Sequence, residues 1–181
     1  MHYKNTKNSF GLITIAIHWL MAVIIIGIFI LGKYMVSLDY YDSFYHTGPW
    51  WHKSFGLLIT FLVVYRLIWK FTNPKVLPLA SHKKVEISLA KLVQTFLYIS
   101  LILCCISGVM ISTAKGAGIS FFDLFEVPAL IANGKSQAEL AGEVHYYATY
   151  SLIILASLHM LAALKHHFLD KDRTLIRILK P

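Results

Sequence analysis

The stretch EVHYYATYSLIILASLHMLAALKHHF, residues 143–168, is mostly apolar and long enough to cross a bilayer as a helix. It carries one histidine near each end, His145 and His159, which are fourteen residues apart. On an α-helix that interval is about 21 Å of rise and close to a whole number of turns, so both imidazoles lie on the same side. The segment therefore offers two metal-binding side chains, one near each surface of a membrane.

The composition of the chain indicates a membrane protein. Apolar residues make up 57% of its 181 residues and charged residues only 14%, and a water-soluble domain of this kind would expose large sticky patches. The expected fold class is an all-α membrane protein, one domain over residues 1–181 that forms a four-helix transmembrane bundle. Apolar runs of about 20 residues mark the spans, which are predicted at about residues 11–38, 51–72, 85–113 and 143–168.

The distribution of charge predicts the orientation of the bundle. Four spans put both termini on one side, and the N-terminal segment, the second loop with its flanks and the tail hold thirteen of the seventeen Lys and Arg. The other side holds six of the nine acidic residues, which leaves about +10 on one side and about −2 on the other. We therefore expect both termini in the cytoplasm, with the basic side chains in contact with membrane lipid and no nucleic-acid partner.

The connection between the third and fourth helices contains the stretch SFFDLFEVPAL. Its pattern is amphipathic and predicts a segment at the membrane interface with Phe121, Phe122 and Phe125 as anchors. Trp50 and Trp51, at the start of the second helix, are typical of the aromatic belt of a membrane protein.

Two further histidines match the first two in depth. His18 lies about two turns into the first helix from the predicted cytoplasmic side, as His159 does in the fourth helix. His52 begins the second helix from the opposite side, where His145 begins the fourth. A single histidine on an apolar face is commonly a packed residue. Two depth-matched pairs on three helices indicate a bound group, because ionisable side chains inside a span are costly and by default functional.

The pairing favours haem over a bare metal ion. A closed zinc site takes four protein ligands, whereas each depth here offers two imidazoles. Two trans ligands suit the iron of a flat macrocycle that supplies four nitrogens. We therefore expect two haems, one on His18 and His159 and one on His52 and His145. Gly56 and Gly108 would make room for a ring, although small residues also serve plain helix packing. Such an iron has no open position and passes single electrons.

Three more side chains are candidates for contacts with the bound groups. Arg66 is fourteen residues after His52, so it faces the bundle interior near the inner haem and could pair with a propionate or a quinone oxygen; the alternative is a snorkelling arginine. Lys53 could balance a propionate. His166 is seven residues after His159 and could relay a proton to quinone, or it belongs to a polar cap at the interface.

Two other classes of function compete with electron transfer. The same histidines could serve a metal or proton transporter, but transporters often carry broken helices and paired repeats, and the sequence shows neither. The chain could also be the membrane anchor subunit of a larger redox complex, which would explain the spans and leave the paired histidines without a role.

The sequence resembles the bacterial cytochrome b561 family along nearly its whole length. The resemblance rests on ITIAIHWL around His18, WWHKSFGLL around His52, GEVHYYATYSL around His145, SLHMLAALKHHF around His159 and the tail DKDRTLIRIL. It implies two b haems per chain, with His18 and His159 at the cytoplasmic haem and His52 and His145 at the periplasmic haem.

The resemblance also implies a function. Members of the family pass electrons between the periplasm and the ubiquinone pool of the bacterial inner membrane, and one branch is a superoxide oxidase that gives the electron to quinone. The resemblance thus implies an oxidoreductase of the superoxide:ubiquinone type or another quinone-linked carrier with a different periplasmic donor or acceptor. A homodimer is compatible with all of these alternatives.

Overall fold

The computed structural model describes residues 2–180 and consists of four long helices, a two-stranded hairpin and a short C-terminal helix. Each of the four long helices is long and apolar enough to cross a membrane, which confirms the four predicted spans. The elements in chain order are α1 (Leu12–Val36), α2 (Thr47–Thr72), α3 (Lys84–Thr113), β1 (Ile119–Phe121), β2 (Phe125–Val127), α4 (Gly134–Phe168) and α5 (Thr174–Leu179).

Helix α4 begins at Gly134, about two turns before the predicted start near residue 143. The added turns are polar, and Gln137 fixes them: its side-chain oxygen accepts the backbone N–H of Asn133 at 2.9 Å and its amide donates to the Met110 carbonyl of α3 at 2.8 Å. Helix α2 likewise begins at Thr47, ahead of the predicted residue 51. An apolar run predicts only the part of a helix that lies inside the bilayer. Polar turns that extend the helix beyond the bilayer are not predicted by hydrophobicity.

The stretch predicted as an interfacial segment folds as an antiparallel hairpin, with Phe121 opposite Phe125. Phe122 and Asp123 adopt positive φ angles of 50° and 58° at its tip. The Phe122 ring packs on α2, 5.2 Å from the ring of Phe55. Phe122 therefore packs within the protein and is half-buried, and the interfacial role of the three phenylalanines stays a prediction.

A small core joins the four long helices. It consists of Ile17, Met21, Ile59, Val63, Leu101 and Leu152. Many other large apolar side chains point outward; Ile30 is 61% and Ile154 is 59% exposed. A surface of this kind fits lipid contact, since soluble monomers rarely expose contiguous apolar patches of such extent.

The N-terminal segment before α1 and helix α5 meet at one end of the bundle, here called the terminal end. The backbone N–H of Leu77, in the loop between α2 and α3, donates to the Lys7 carbonyl at 2.9 Å, and Arg177 of α5 donates to the Leu77 carbonyl at 3.0 Å. The Trp19 indole of α1 donates to the Ile178 carbonyl at 2.9 Å. The opposite end, here called the hairpin end, holds the loop between α1 and α2 and the hairpin. An even number of spans produces this arrangement.

Candidate haem-binding sites

The histidines lie in the predicted pairs. At the hairpin end the ring centroids of His52 (α2) and His145 (α4) are 6.3 Å apart with an interplanar angle of 71°. At the terminal end those of His18 (α1) and His159 (α4) are 6.4 Å apart at 74°. Two metal–nitrogen bonds of about 2 Å on opposite sides of one ion place imidazole centres roughly 6 Å apart. Both pairs therefore have a ring separation at which the two imidazoles would be able to hold one haem iron between them.

A cavity of about 450 Å³ adjoins the hairpin-end pair, His52 and His145. Its wall is mainly apolar, and Lys53 is the charged side chain among the described residues that line it. Gly56 lies on the same wall, and a Cβ added there would meet no atom within 4 Å. The cavity thus has the apolar lining and the cationic edge that suit a flat ring with carboxylate substituents.

Two other glycines touch the hairpin-end pair directly. A Cβ added at Gly32 of α1 would lie 3.1 Å from Cε1 of His52, and one at Gly108 of α3 would lie 3.3 Å from Cε1 of His145. Both distances are shorter than ordinary carbon contacts, so a side chain at either position would have to displace the imidazole. Gly108 was recognisable as a small residue within a span, whereas sequence reasoning missed Gly32.

His145 has hydrogen-bond partners that set its tautomer. Its Nδ1 lies 3.1 Å from the Cys104 carbonyl oxygen and 3.1 Å from the Ser107 hydroxyl, both on α3. An imidazole that donates from Nδ1 to a carbonyl leaves Nε2 free to bind a metal ion. Ser107 was also missed, and a small polar residue inside a span is the signal that could have found it.

Arg66 lies at the terminal-end pair, on the interior face that its spacing from His52 predicted. Its Nη2 lies 3.4 Å from Nδ1 of His18, and its Nε donates to the Tyr98 hydroxyl at 3.1 Å. Lys70, one turn further along α2, is exposed and lies over the Tyr98 ring at 4.5 Å. The pair therefore has a cation beside it, inside the bundle.

His166 belongs to a polar cluster at the terminal end that also contains His82, Asp170 and Asp172. Its Nδ1 lies 2.9 Å from a carboxylate oxygen of each aspartate, and its ring lies 4.7 Å from that of His82. Burial alone would raise the pKa of Asp172, but hydrogen bonds from Thr174 and the nearby His166 outweigh it and lower that pKa to about 2. Asp172 is therefore ionised, and sequence reasoning had missed both Asp172 and His82.

Comparison with known proteins agrees with these features. The sequence profile described as prokaryotic cytochrome b561 matches residues 9–181. The chain is 43% identical over 179 residues to "Cytochrome b561 homolog 2" of Escherichia coli (strain K12), with 99% of this chain and 95% of that protein covered. It is 28% identical over 184 residues to "Probable superoxide oxidase CybB" of Yersinia pestis, with 99% of this chain and 97% of that protein covered.

The matched range extends over almost the whole chain and spans the positions of all four paired histidines. Four apolar helices, two histidine pairs at ligand spacing and the family match lead to one identification. The chain belongs to the prokaryotic cytochrome b561 family, multi-pass membrane cytochromes of the b type that carry electrons across the membrane.

Proposed function

We propose that this protein binds two b haems, one between His18 and His159 and one between His52 and His145. The observation that carries the proposal is the matched separation of the two ring pairs, 6.4 Å and 6.3 Å. Haem bound through two histidines supplies a one-electron couple with no open position at iron. The fourteen residues between His145 and His159 space the two sites by about 21 Å along α4.

Neighbouring groups orient His145, and the cation of Arg66 is available to pair with a bound group. His145 donates from Nδ1 to the Cys104 carbonyl, which presents Nε2 to the cavity. If His18 binds iron through Nε2, its Nδ1 carries a proton. Nδ1 of His18 and Nη2 of Arg66 are then both donors and cannot hydrogen-bond to each other. Arg66 would then turn to an anionic or carbonyl acceptor, which a haem propionate or a quinone oxygen supplies. Lys53 has the same role for a propionate at the hairpin end.

The proposed orientation follows from charge. The segments that gather at the terminal end carry about +10, so this end faces the cytoplasm of a bacterial inner membrane and the hairpin end faces the periplasm. The site at His52 and His145 then exchanges electrons with a periplasmic partner, and the site at His18 and His159 exchanges them with ubiquinone.

His166 provides a route for the protons that quinone chemistry requires. It follows His159 by seven residues on nearly the same face of α4, about 10 Å further along the axis. Its Nδ1 lies within 2.9 Å of carboxylate oxygens of Asp170 and Asp172. A proton on this nitrogen is thus held between two acceptors at the edge of the bundle, where it can pass to and from the cytoplasm.

Superoxide is the candidate periplasmic donor, and similarity over both full lengths to the Yersinia pestis protein favours it. Lys53 on the cavity wall puts one cation at the hairpin-end site, on a side of the molecule that carries about −2 overall. Cations at a cleft raise the local concentration of an anion. Superoxide would lose one electron to become dioxygen, and the electron would leave at the quinone side.

The decisive measurement is a reduced-minus-oxidised absorption spectrum of purified protein with a haem count per chain. Two b haems whose spectrum does not change with carbon monoxide would support the four ligands. Addition of superoxide to the oxidised protein should then reduce the haem. A colourless protein with metal-dependent flux would contradict the proposal and favour a transporter, and a colourless protein without flux would favour a membrane anchor.

A further inference from the structure

We propose that His82, His166 and Asp172 form a binding site for a divalent transition-metal cation at the terminal end. The three residues come from separate segments: the loop between α2 and α3, the end of α4, and the link between α4 and α5. One ligand atom from each residue lies within 4.8 Å of the other two. Asp172 Oδ2 is central, 3.2 Å from Nε2 of His82 and 2.9 Å from Nδ1 of His166.

These distances fit neighbouring ligands of one metal ion. Zinc binds imidazole nitrogen and carboxylate oxygen at about 2.0–2.1 Å, so adjacent ligand atoms around it lie roughly 3 Å apart. Two imidazoles and one carboxylate are a ligand set that suits zinc and other first-row divalent ions. The protein therefore supplies three ligands on one face of the ion and leaves at least one position for water.

The charge of the surrounding cluster also matches a divalent cation. Lys165 bonds to Glu86 at 2.9 Å and to Asp170 at 2.6 Å, and Asp170 in turn lies 2.9 Å from His166. With Asp172 the hydrogen-bonded cluster holds three carboxylates and one ammonium, a net charge of −2 while the imidazoles are neutral. One divalent cation would cancel the charge of these bonded groups, within an end of the bundle that is basic overall.

The ligands are held in place before any ion binds. The backbone N–H of Thr174, at the start of α5, donates to Asp172 Oδ1 at 2.7 Å and fixes the carboxylate. The Thr174 hydroxyl lies 3.0 Å from Nε2 of His82 and would give up this contact when that nitrogen binds the ion. The side chains of His82, Asp172 and His166 are only 16%, 9% and 13% exposed. A partner that orients a metal ligand, as the Thr174 N–H does for Asp172, commonly contributes 10–100-fold to metal affinity.

A cation at this site would add metal–ligand bonds among three segments that hydrogen bonds and the packed rings of His82 and His166 already connect. It would tie the α2–α3 loop and the start of α5 to the end of α4, beyond the terminal-end histidine pair. None of its three ligands is a proposed haem ligand, so the site can be filled while both haems are bound. The proposal is thus independent of the haem sites, but a cation on Nδ1 of His166 would occupy the nitrogen that holds the relayed proton in the proposed quinone reaction.

The test uses holoprotein without a histidine tag, freed of loosely bound metal with a chelator and dialysed against zinc chloride. Zinc and iron per chain are then measured by elemental analysis. We expect one zinc per chain in addition to the haem iron. His82→Gln and Asp172→Asn should each weaken zinc binding at least tenfold, because each removes a ligand. His46→Gln, which removes a histidine at the hairpin end, should leave zinc binding unchanged.

Asp172→Asn could disturb α5, because Asp172 accepts a hydrogen bond from the Thr174 backbone at the start of that helix. His82 makes no such bond to a helix end, so His82→Gln tests the site without this complication. An unchanged haem spectrum shows that each variant has folded. Zinc that stays far below one per chain in the natural sequence overturns the proposal. Stoichiometric zinc that binds His82→Gln as tightly as the natural sequence also overturns it. Neither result bears on the haem count, which tests the electron-transfer function separately.

Discussion

The two histidine pairs have nearly the same ring geometry and different surroundings. The rings of His52 and His145 are 6.3 Å apart and those of His18 and His159 are 6.4 Å apart. At the hairpin end the hydrogen-bond partners are neutral, a backbone carbonyl and a serine hydroxyl. At the terminal end a guanidinium nitrogen of Arg66 lies 3.4 Å from His18.

If each pair holds a haem, as proposed, this difference would make the two redox sites unequal. A fixed cation beside a haem favours the reduced state, because reduction lowers the positive charge at iron. Arg66 is half-buried within the bundle, whereas Lys53 at the hairpin-end site is exposed and its charge is screened by solvent and salt. We therefore expect the terminal-end site to have the higher reduction potential, which favours electron flow toward the quinone side.

The largest expected effect is the loss of one haem without the other. His145→Ala should remove the hairpin-end haem and leave the other in place, and His159→Ala should do the reverse, because each substitution would delete one of the two histidines proposed to hold that haem. The haem count would fall from two to one per chain in both variants, with different residual spectra. Retention of two haems in His145→Ala would show that the pairing is wrong.

A smaller effect tests the close packing at the hairpin end. A side chain at Gly108 would meet Cε1 of His145 at 3.3 Å, whereas Gly27 on α1 has no atom within 4 Å of an added Cβ. Overpacking commonly costs about 1–3 kcal/mol, so Gly108→Val should weaken retention of the hairpin-end haem roughly tenfold. Gly27→Val is the matched control. The haem count after detergent washing measures both, and equal loss in the two variants would contradict the packing argument.

The parts of this architecture that the sequence predicts are those with a local signal. Four apolar runs predicted four spans, and the fourteen-residue interval between His145 and His159 predicted two depths on one helix face. The turns at the start of α4 are polar, so no apolar run indicates that the helix begins there. The strands of the hairpin are three residues long, too short for a period of two to be recognised.

The missed site residues depend on contacts between distant parts of the chain. Ser107 and His145 are 38 residues apart in sequence, and His82 and Asp172 are 90 apart. Helix periodicity tells which face a side chain occupies, but the residue opposite it is fixed by how the helices cross. Gly32 was missed for the same reason. A small residue is needed there because the His52 ring, on another helix, packs against it.

The potential difference between the two sites gives a third prediction. Arg66→Gln should lower the midpoint potential of the terminal-end haem by tens of millivolts, where about 59 mV is a tenfold change for one electron. The hairpin-end haem should change little. Lys70→Gln is the control, because that lysine lies one turn away and is exposed. Redox titration of both haems measures the shifts, and an equal shift in the two variants would remove Arg66 as the source of the asymmetry.

The smallest expected effect is a dependence of stability on acid pH at the hairpin end. Hydrogen bonds from the Trp50 indole at 3.0 Å and the Ser120 hydroxyl at 2.8 Å lower the pKa of Asp123 below its ordinary value of 3.8. The contribution to stability is therefore complete above about pH 4 and is lost as the pH falls through the lowered pKa. Because the carboxylate is exposed, solvent screens it and the effect is small.

Thermal unfolding from pH 6 to pH 3 should show Asp123→Asn slightly less stable than the natural sequence at pH 6, with the two curves converging at the acid end. A gap that stays constant over this range would mean that Asp123 acts through packing and not through its charge.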